Sequence, residues 1–151
     1  MIVLDASAGV GLVRKLPEAE KLASFVYDNE LVVAPDLYVA EVTRVFSKYV
    51  RGGFMTVEQA QESTDRALSL VDTFVDTKGM AGEVVGEAVR LSHSTYDLFY
   101  LVTARRRAAT LLSLDKRLIK LAMSCGVSVI TELTVNDVPW IIRSTEEQRQ
   151  K

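Results

Sequence analysis

Short runs of apolar residues recur along this chain, separated by longer segments with helical patterning. No other feature limits the fold as strongly. Ile2-Val3-Leu4, Leu31-Val32-Val33-Ala34, Phe74-Val75-Asp76, Thr110-Leu111-Leu112-Ser113-Leu114 and Val127-Ser128-Val129-Ile130 read as strands. Helical patterning covers residues 7–15, 18–29, 36–50, 56–72, 80–92, 96–108 and 116–124. Pro35 is expected to stop the second strand, and Gly52-Gly53 to end the helix before it. Thr56, followed by Glu58 and Gln59, carries the signature of a capped helix start. Strands that are apolar on both faces and alternate with helices form parallel sheets covered on both sides. The expected fold is therefore α/β: a three-layer α/β/α sandwich around a five-stranded, mainly parallel sheet. A length of 151 residues suits one domain. Residues 1–131 are expected to form it, and residues 132–151 a C-terminal tail with one apolar patch, Val138-Pro139-Trp140-Ile141-Ile142.

Composition removes several classes of function. Hydrophobic residues make up 48% of the chain, yet no apolar run is long enough to span a membrane. The start, Met1-Ile2-Val3-Leu4-Asp5, has neither the basic nor the long apolar stretch of a signal peptide. The single cysteine, Cys125, cannot form an internal disulfide. A cytoplasmic protein is the expectation. The net charge of −2 is not the footprint of bulk-charge binding to nucleic acid. With His93 the sole histidine, a two-histidine ribonuclease mechanism and a histidine-rich zinc site are both excluded. Any hydrolytic chemistry must rest on carboxylates, with or without metal.

Four acids stand where a site would form. Ligands of open α/β sheets bind beyond the carboxyl ends of the strands. Asp5 ends the first strand, Asp115 follows the fourth, and Asp97 opens a helix after Ser94-Thr95. Each alone also has a structural reading, as a turn residue, an N-cap or an acid opposing a helix dipole. Glu41 is harder to place that way, because its helical neighbours Leu37, Tyr38 and Val45 are apolar. Arg44, three residues on, offers it a partner. Taken together, carboxylates that converge on one crevice repel unless protonated or bridged by cations. Oxygen-only donors suit Mg²⁺ or Mn²⁺, which activate water and neutralise phosphodiester charge.

The segments Val3-Leu4-Asp5-Ala6-Ser7, Ala34-Pro35-Asp36-Leu37 leading to Glu41-Val42, Tyr96-Asp97-Leu98-Phe99-Tyr100-Leu101 and Leu112-Ser113-Leu114-Asp115-Lys116-Arg117-Leu118 occur in an order and spacing that resembles the PIN-domain ribonucleases. Within them the chain resembles the VapC-type toxins of toxin–antitoxin pairs, over about residues 1–130. The resemblance implies a PIN-like fold and a metal-dependent endoribonuclease using Mg²⁺ or Mn²⁺. It implies metal ligation and catalysis by Asp5, Glu41, Asp97 and Asp115, with Ser113 orienting a ligand or water and Ser7 as the hydroxyl of the opening element. A strand-end hydroxyl bonded to backbone is an equal reading of Ser113. The resemblance further implies a cognate small antitoxin and a homodimer. One departure is Arg44, which stands where the family often has asparagine. It either pairs with Glu41 or contacts a phosphate.

Arg105-Arg106-Arg107 is the densest basic run. It reads either as a solvated helix end or as a contact to RNA backbone, and Arg105 lies about two turns from Asp97. Lys116 and Arg117 extend the patch; Arg14, Lys15 and Lys48 are weaker candidates. Tyr96, Phe99 and Tyr100 are expected to pack the core, and His93 and Cys125 to be incidental. Two rival readings stand beside the nuclease. A phosphoacceptor domain wants a second acid beside Asp5, which the chain lacks. A non-catalytic PIN module that binds RNA or protein remains the alternative.

Overall fold

The computed structural model describes residues 1–28 and 30–130. The expected tail, with its apolar patch, lies outside them. Strand β1 (Ile2–Leu4) leads into helix α1 (Ala6–Val13), followed by α2 (Pro17–Glu20) and α3 (Ala23–Tyr27). Next come β2 (Val32–Pro35), α4 (Leu37–Arg51), α5 (Val57–Ser69) and β3 (Thr73–Val75). A 3₁₀ turn (Lys78–Met80) precedes α6 (Ala81–Leu91), α7 (Thr95–Arg106), β4 (Thr110–Leu112), α8 (Lys116–Ser124) and β5 (Val129–Ile130).

Among the described residues every strand pairing is parallel, and the strand order is β3-β2-β1-β4-β5. β1 is thus the centre. Ile2 stands between Val32 on one side and Thr110 on the other. Residues 2–4, 32–34, 111 and 112 are buried, as strands covered by helices on both faces must be. Helices α1, α4 and α5 pack on one another, while α7 packs on α6 and α8. Right-handed crossovers place these two groups on opposite faces. After β3 the chain returns past β1 to lay down β4. The order therefore reverses between β1 and β4, and the crevice beyond their carboxyl ends is where such folds bind ligands.

Local sequence explains the element boundaries. Thr56 and Gln59 form the expected capping box: the Gln59 N–H donates to Thr56 Oγ1 at 3.1 Å, and the Thr56 N–H to Gln59 Oε1 at 2.9 Å. Asp115 caps α8, accepting from the N–H groups of Arg117 and Leu118. β2 stops at Pro35, as expected, with the proline itself included as the last paired residue, opposite Val75. Proline lacks a donor, and here the next N–H, that of Asp36, reaches the Val75 carbonyl at 2.9 Å. Gly9 is required by close approach, since a Cβ there would lie 2.0 Å from the Tyr38 hydroxyl. That hydroxyl donates to the Ala67 carbonyl at 2.8 Å, tying α4 to α5.

Candidate active site

The crevice between β1 and β4 is built around Asp5. Its side chain caps α1 by accepting the Ala8 N–H at 2.9 Å. Ser113, just past β4, donates its hydroxyl to Asp5 Oδ2 at 2.6 Å. Ser7 donates to Oδ1 at 2.8 Å and to Oδ2 at 3.0 Å. The same hydroxyls accept from the next loop: the Leu114 N–H reaches Ser7 Oγ and the Asp115 N–H reaches Ser113 Oγ. The ends of β1 and β4 are thereby joined in one network with Asp5 at its node. Asp5 is 4% exposed. Desolvation pushes its pKa up to about 6, although the bonds from Ser113, Ala8 and Ser7 pull the other way.

Glu41 comes from the first turns of α4, half-buried as its apolar neighbours require. Burial pushes its pKa up to about 7. The Tyr100 hydroxyl pulls that value down, while the charges of Asp5 and Asp97 add to the rise. Arg44 is exposed and is the weakest influence on Glu41. Asp97, in the first turn of α7, is also raised, by desolvation and then by the charge of Asp115. His93 and Arg117 oppose that rise. The four acids expected from the sequence thus belong to one electrostatic unit, linked Asp5 to Glu41, Glu41 to Asp97, Asp97 to Asp115 and Asp115 to Asp5.

Their chemistry fits a hard divalent cation. The donors are carboxylate oxygens, and Glu41 Oε1 is buried without a hydrogen-bond partner. Among the described residues, however, no three acids, histidines or cysteines already stand around a single point. Closing on an ion would require side-chain movement.

Other expectations divide. Arg105 pairs with Glu83 at 2.6 Å and with Glu87 at 3.1 Å, and Arg106 pairs with Glu83 at 2.7 Å. These two arginines fasten α7 to α6. Arg107, Lys116, Arg117 and Arg44 are exposed and make no ion pair among the described residues. Arg14 stacks over the Tyr49 ring at 4.1 Å. Tyr100 is buried and Phe99 packs on the core, but Tyr96, expected there too, is 64% exposed. It sits in the first turn of α7, which is largely exposed, whereas burial of the helix begins at Leu98. His93, read as incidental, has its Nδ1 3.4 Å from Asp97 Oδ2. Sequence reasoning missed both His93 and the tie between Tyr100 and Glu41. The available signal was nearness to Asp97 in the chain, four residues before it and three after it.

The family model for the PIN domain matches residues 2–123. The chain therefore belongs to the PIN domain family, whose members are generally nucleases and typically use divalent metal ions. Solved structures with the same fold include PAE2754 from Pyrobaculum aerophilum, with a TM-score of 0.70 and 21% identity over 89% of this chain and 94% of that one. VapBC2 from Rickettsia felis, bound to a DNA fragment from their promoter, matches with a TM-score of 0.64 and 20% identity, over 86% and 98% of the two chains. FitAcB from Neisseria gonorrhoeae has a TM-score of 0.64 and 16% identity, over 88% and 99%. At these identities the likeness establishes the fold. No curated protein matches the sequence.

Proposed function

We propose that this protein is a metal-dependent endoribonuclease, the toxin of a VapBC-type toxin–antitoxin pair. The carrying observation is the electrostatic unit of Asp5, Glu41, Asp97 and Asp115 at the point where the strand order reverses. The neighbours VapBC2 and FitAcB and the sequence resemblance support the toxin reading. A cognate small antitoxin and a homodimer belong to the same proposal.

In this reading the four carboxylates hold Mg²⁺ or Mn²⁺, which would supply an activated water and offset charge on the phosphodiester. Asp5 is held rigid by Ser7, Ser113 and the Ala8 N–H, so its oxygens keep one orientation. Ser113 acts on Asp5, which makes its hydroxyl a positioning group. Asp115 is fixed by capping α8. Arg44, Arg107 and Lys116 are assigned to the RNA backbone, joined by Arg117 at the start of α8. Arg105 and Arg106 reach RNA only by giving up Glu83 and Glu87, so they rank behind the unpaired cations. One observation favours a second reading, a PIN module that binds RNA or protein without cutting: the acids are not preassembled around one point.

The test is incubation of the purified protein, free of any antitoxin, with structured RNA and with DNA, in Mn²⁺ and in EDTA. Cleavage of RNA that EDTA abolishes is expected. RNA binding with no cleavage would put the binding module ahead.

A further inference from the structure

Among the described residues, three buried side-chain polar atoms lack a hydrogen-bond partner: Glu41 Oε1, His93 Nδ1 and Tyr100 Oη. Folded proteins satisfy nearly all such atoms, and exceptions call for a cause. Here all three lie at the acid cluster. Tyr100 is 2% exposed and lies against Glu41, where its hydroxyl favours the ionised carboxylate without completing an aligned bond. His93 faces Asp97 in the same incomplete way, 3.4 Å away. Asp97 and Tyr100 stand three residues apart on one side of α7, and His93, in the link just before that helix, reaches Asp97 from its N-terminal end.

The backbone goes to some length to aim His93. Helix α6 ends at Ser92 with φ 49° and ψ 50°, a left-handed conformation that side chains other than glycine rarely adopt. The His93 N–H then reaches back to the Ala88 carbonyl at 3.2 Å. This tight reversal sets the imidazole against the first turn of α7. A residue that merely filled this corner would have no reason to be polar. Likewise, a phenylalanine at 100 would pack as well as tyrosine and would leave no hydroxyl unsatisfied.

We propose that His93 and Tyr100 are positioning residues: side-chain donors that hold the ionised carboxylates of Asp97 and Glu41 from behind and turn their remaining oxygens toward a divalent cation. The proposal rests on the metal assignment made above. Each donor is underused while its carboxylate stands apart, and aligns when Glu41 and Asp97 draw in around the ion. Partners of this kind fix ligand orientation, and their loss typically weakens metal binding about 10–100-fold.

The test is a titration of the full chain with Mn²⁺, following the EPR signal of the free ion, alongside melting in EDTA. Tyr100→Phe should bind Mn²⁺ about tenfold more weakly than wild type, while its melting temperature in EDTA stays equal or rises. His93→Phe should weaken binding by a similar factor. His93→Asn, which keeps a donor near the Nδ1 position, should recover most of that loss. Unchanged Mn²⁺ affinity in both phenylalanine variants would overturn the proposal. So would a drop of several degrees in the EDTA melting temperature of Tyr100→Phe, because the hydroxyl would then serve the fold. If the wild type itself binds no Mn²⁺, the metal assignment fails and the proposal with it.

Discussion

Replacing Asp5 with asparagine should stabilise the metal-free protein at neutral pH, although Asp5 sits at the centre of the site. Its carboxyl is buried, and its folded pKa of about 6 lies above the value of 3.8 for a free side chain. A raised carboxyl contributes stability that is fully present below the unfolded value, near pH 4, and lost as pH rises through the folded one. The difference of roughly two units corresponds to about 3 kcal/mol withdrawn from the wild type above pH 7. Asp5→Asn carries no charge to desolvate and keeps an oxygen for the Ala8 N–H. The Ser113 hydroxyl must turn to accept from the new amide, which offsets part of the gain. A net gain of about 2 kcal/mol is expected in EDTA at pH 7.5, or about 4–8 °C in melting temperature for a domain of this size. The gain should shrink toward zero as pH falls to 4. The assay is thermal melting of both proteins in EDTA across that range. If Asp5→Asn melts no higher than wild type at pH 7.5, or the gap does not change with pH, the burial argument is wrong.

Four further outcomes follow from the same structure. Adding Mn²⁺ at pH 7.5 should raise the melting temperature of wild type and do so much less for Asp5→Asn; equal shifts would remove Asp5 from the ligand set. Gly9→Ala places a Cβ against the Tyr38 hydroxyl and breaks its bond to Ala67, so urea unfolding should show a loss of about 2–4 kcal/mol. Neutralising Arg44 or Lys116 should lower the salt slope of RNA binding by about 0.7–0.9 each. Arg105→Ala should leave that slope unchanged and cost at most about 1 kcal/mol of stability, as an exposed ion pair does.

Much of this architecture was legible in the sequence because its signals are local. Apolar runs bounded by turn residues located the strands, and Thr56 with Gln59 marked a helix start through a bond between near neighbours. Glu41 stood out because an acid among Leu37, Tyr38 and Val45 has few ways to be at ease. Asp5 and Asp115 were recognisable as strand-end acids once the strands were placed. Features that depend on tertiary packing were not legible. The pairing of Arg105 and Arg106 with Glu83 and Glu87 joins residues up to 23 apart, and needs α6 laid against α7. That Pro35 is itself paired, opposite Val75, depends on β3 lying next to it. Tyr96 and Tyr100 share a side of α7 one turn apart, yet one is exposed and the other buried, because the first turn stands outside the core that covers the middle of the helix. The hydroxyl network through Ser7 and Ser113 closes a gap of more than a hundred residues.

Asp97→Asn keeps the shape of the side chain and deletes one charge, so it tests electrostatics rather than packing. The measurement is the cleavage rate of purified wild type and Asp97→Asn on total RNA in Mn²⁺, followed by end-group analysis of the products. A folded variant slowed by at least about two orders of magnitude is expected, the scale of a preorganised electrostatic group. Wild-type products should carry a 5′-phosphate and a 3′-hydroxyl, the outcome of attack by water. Equal rates for the two proteins, or products ending in a cyclic phosphate, would rule out metal-assisted hydrolysis at these carboxylates.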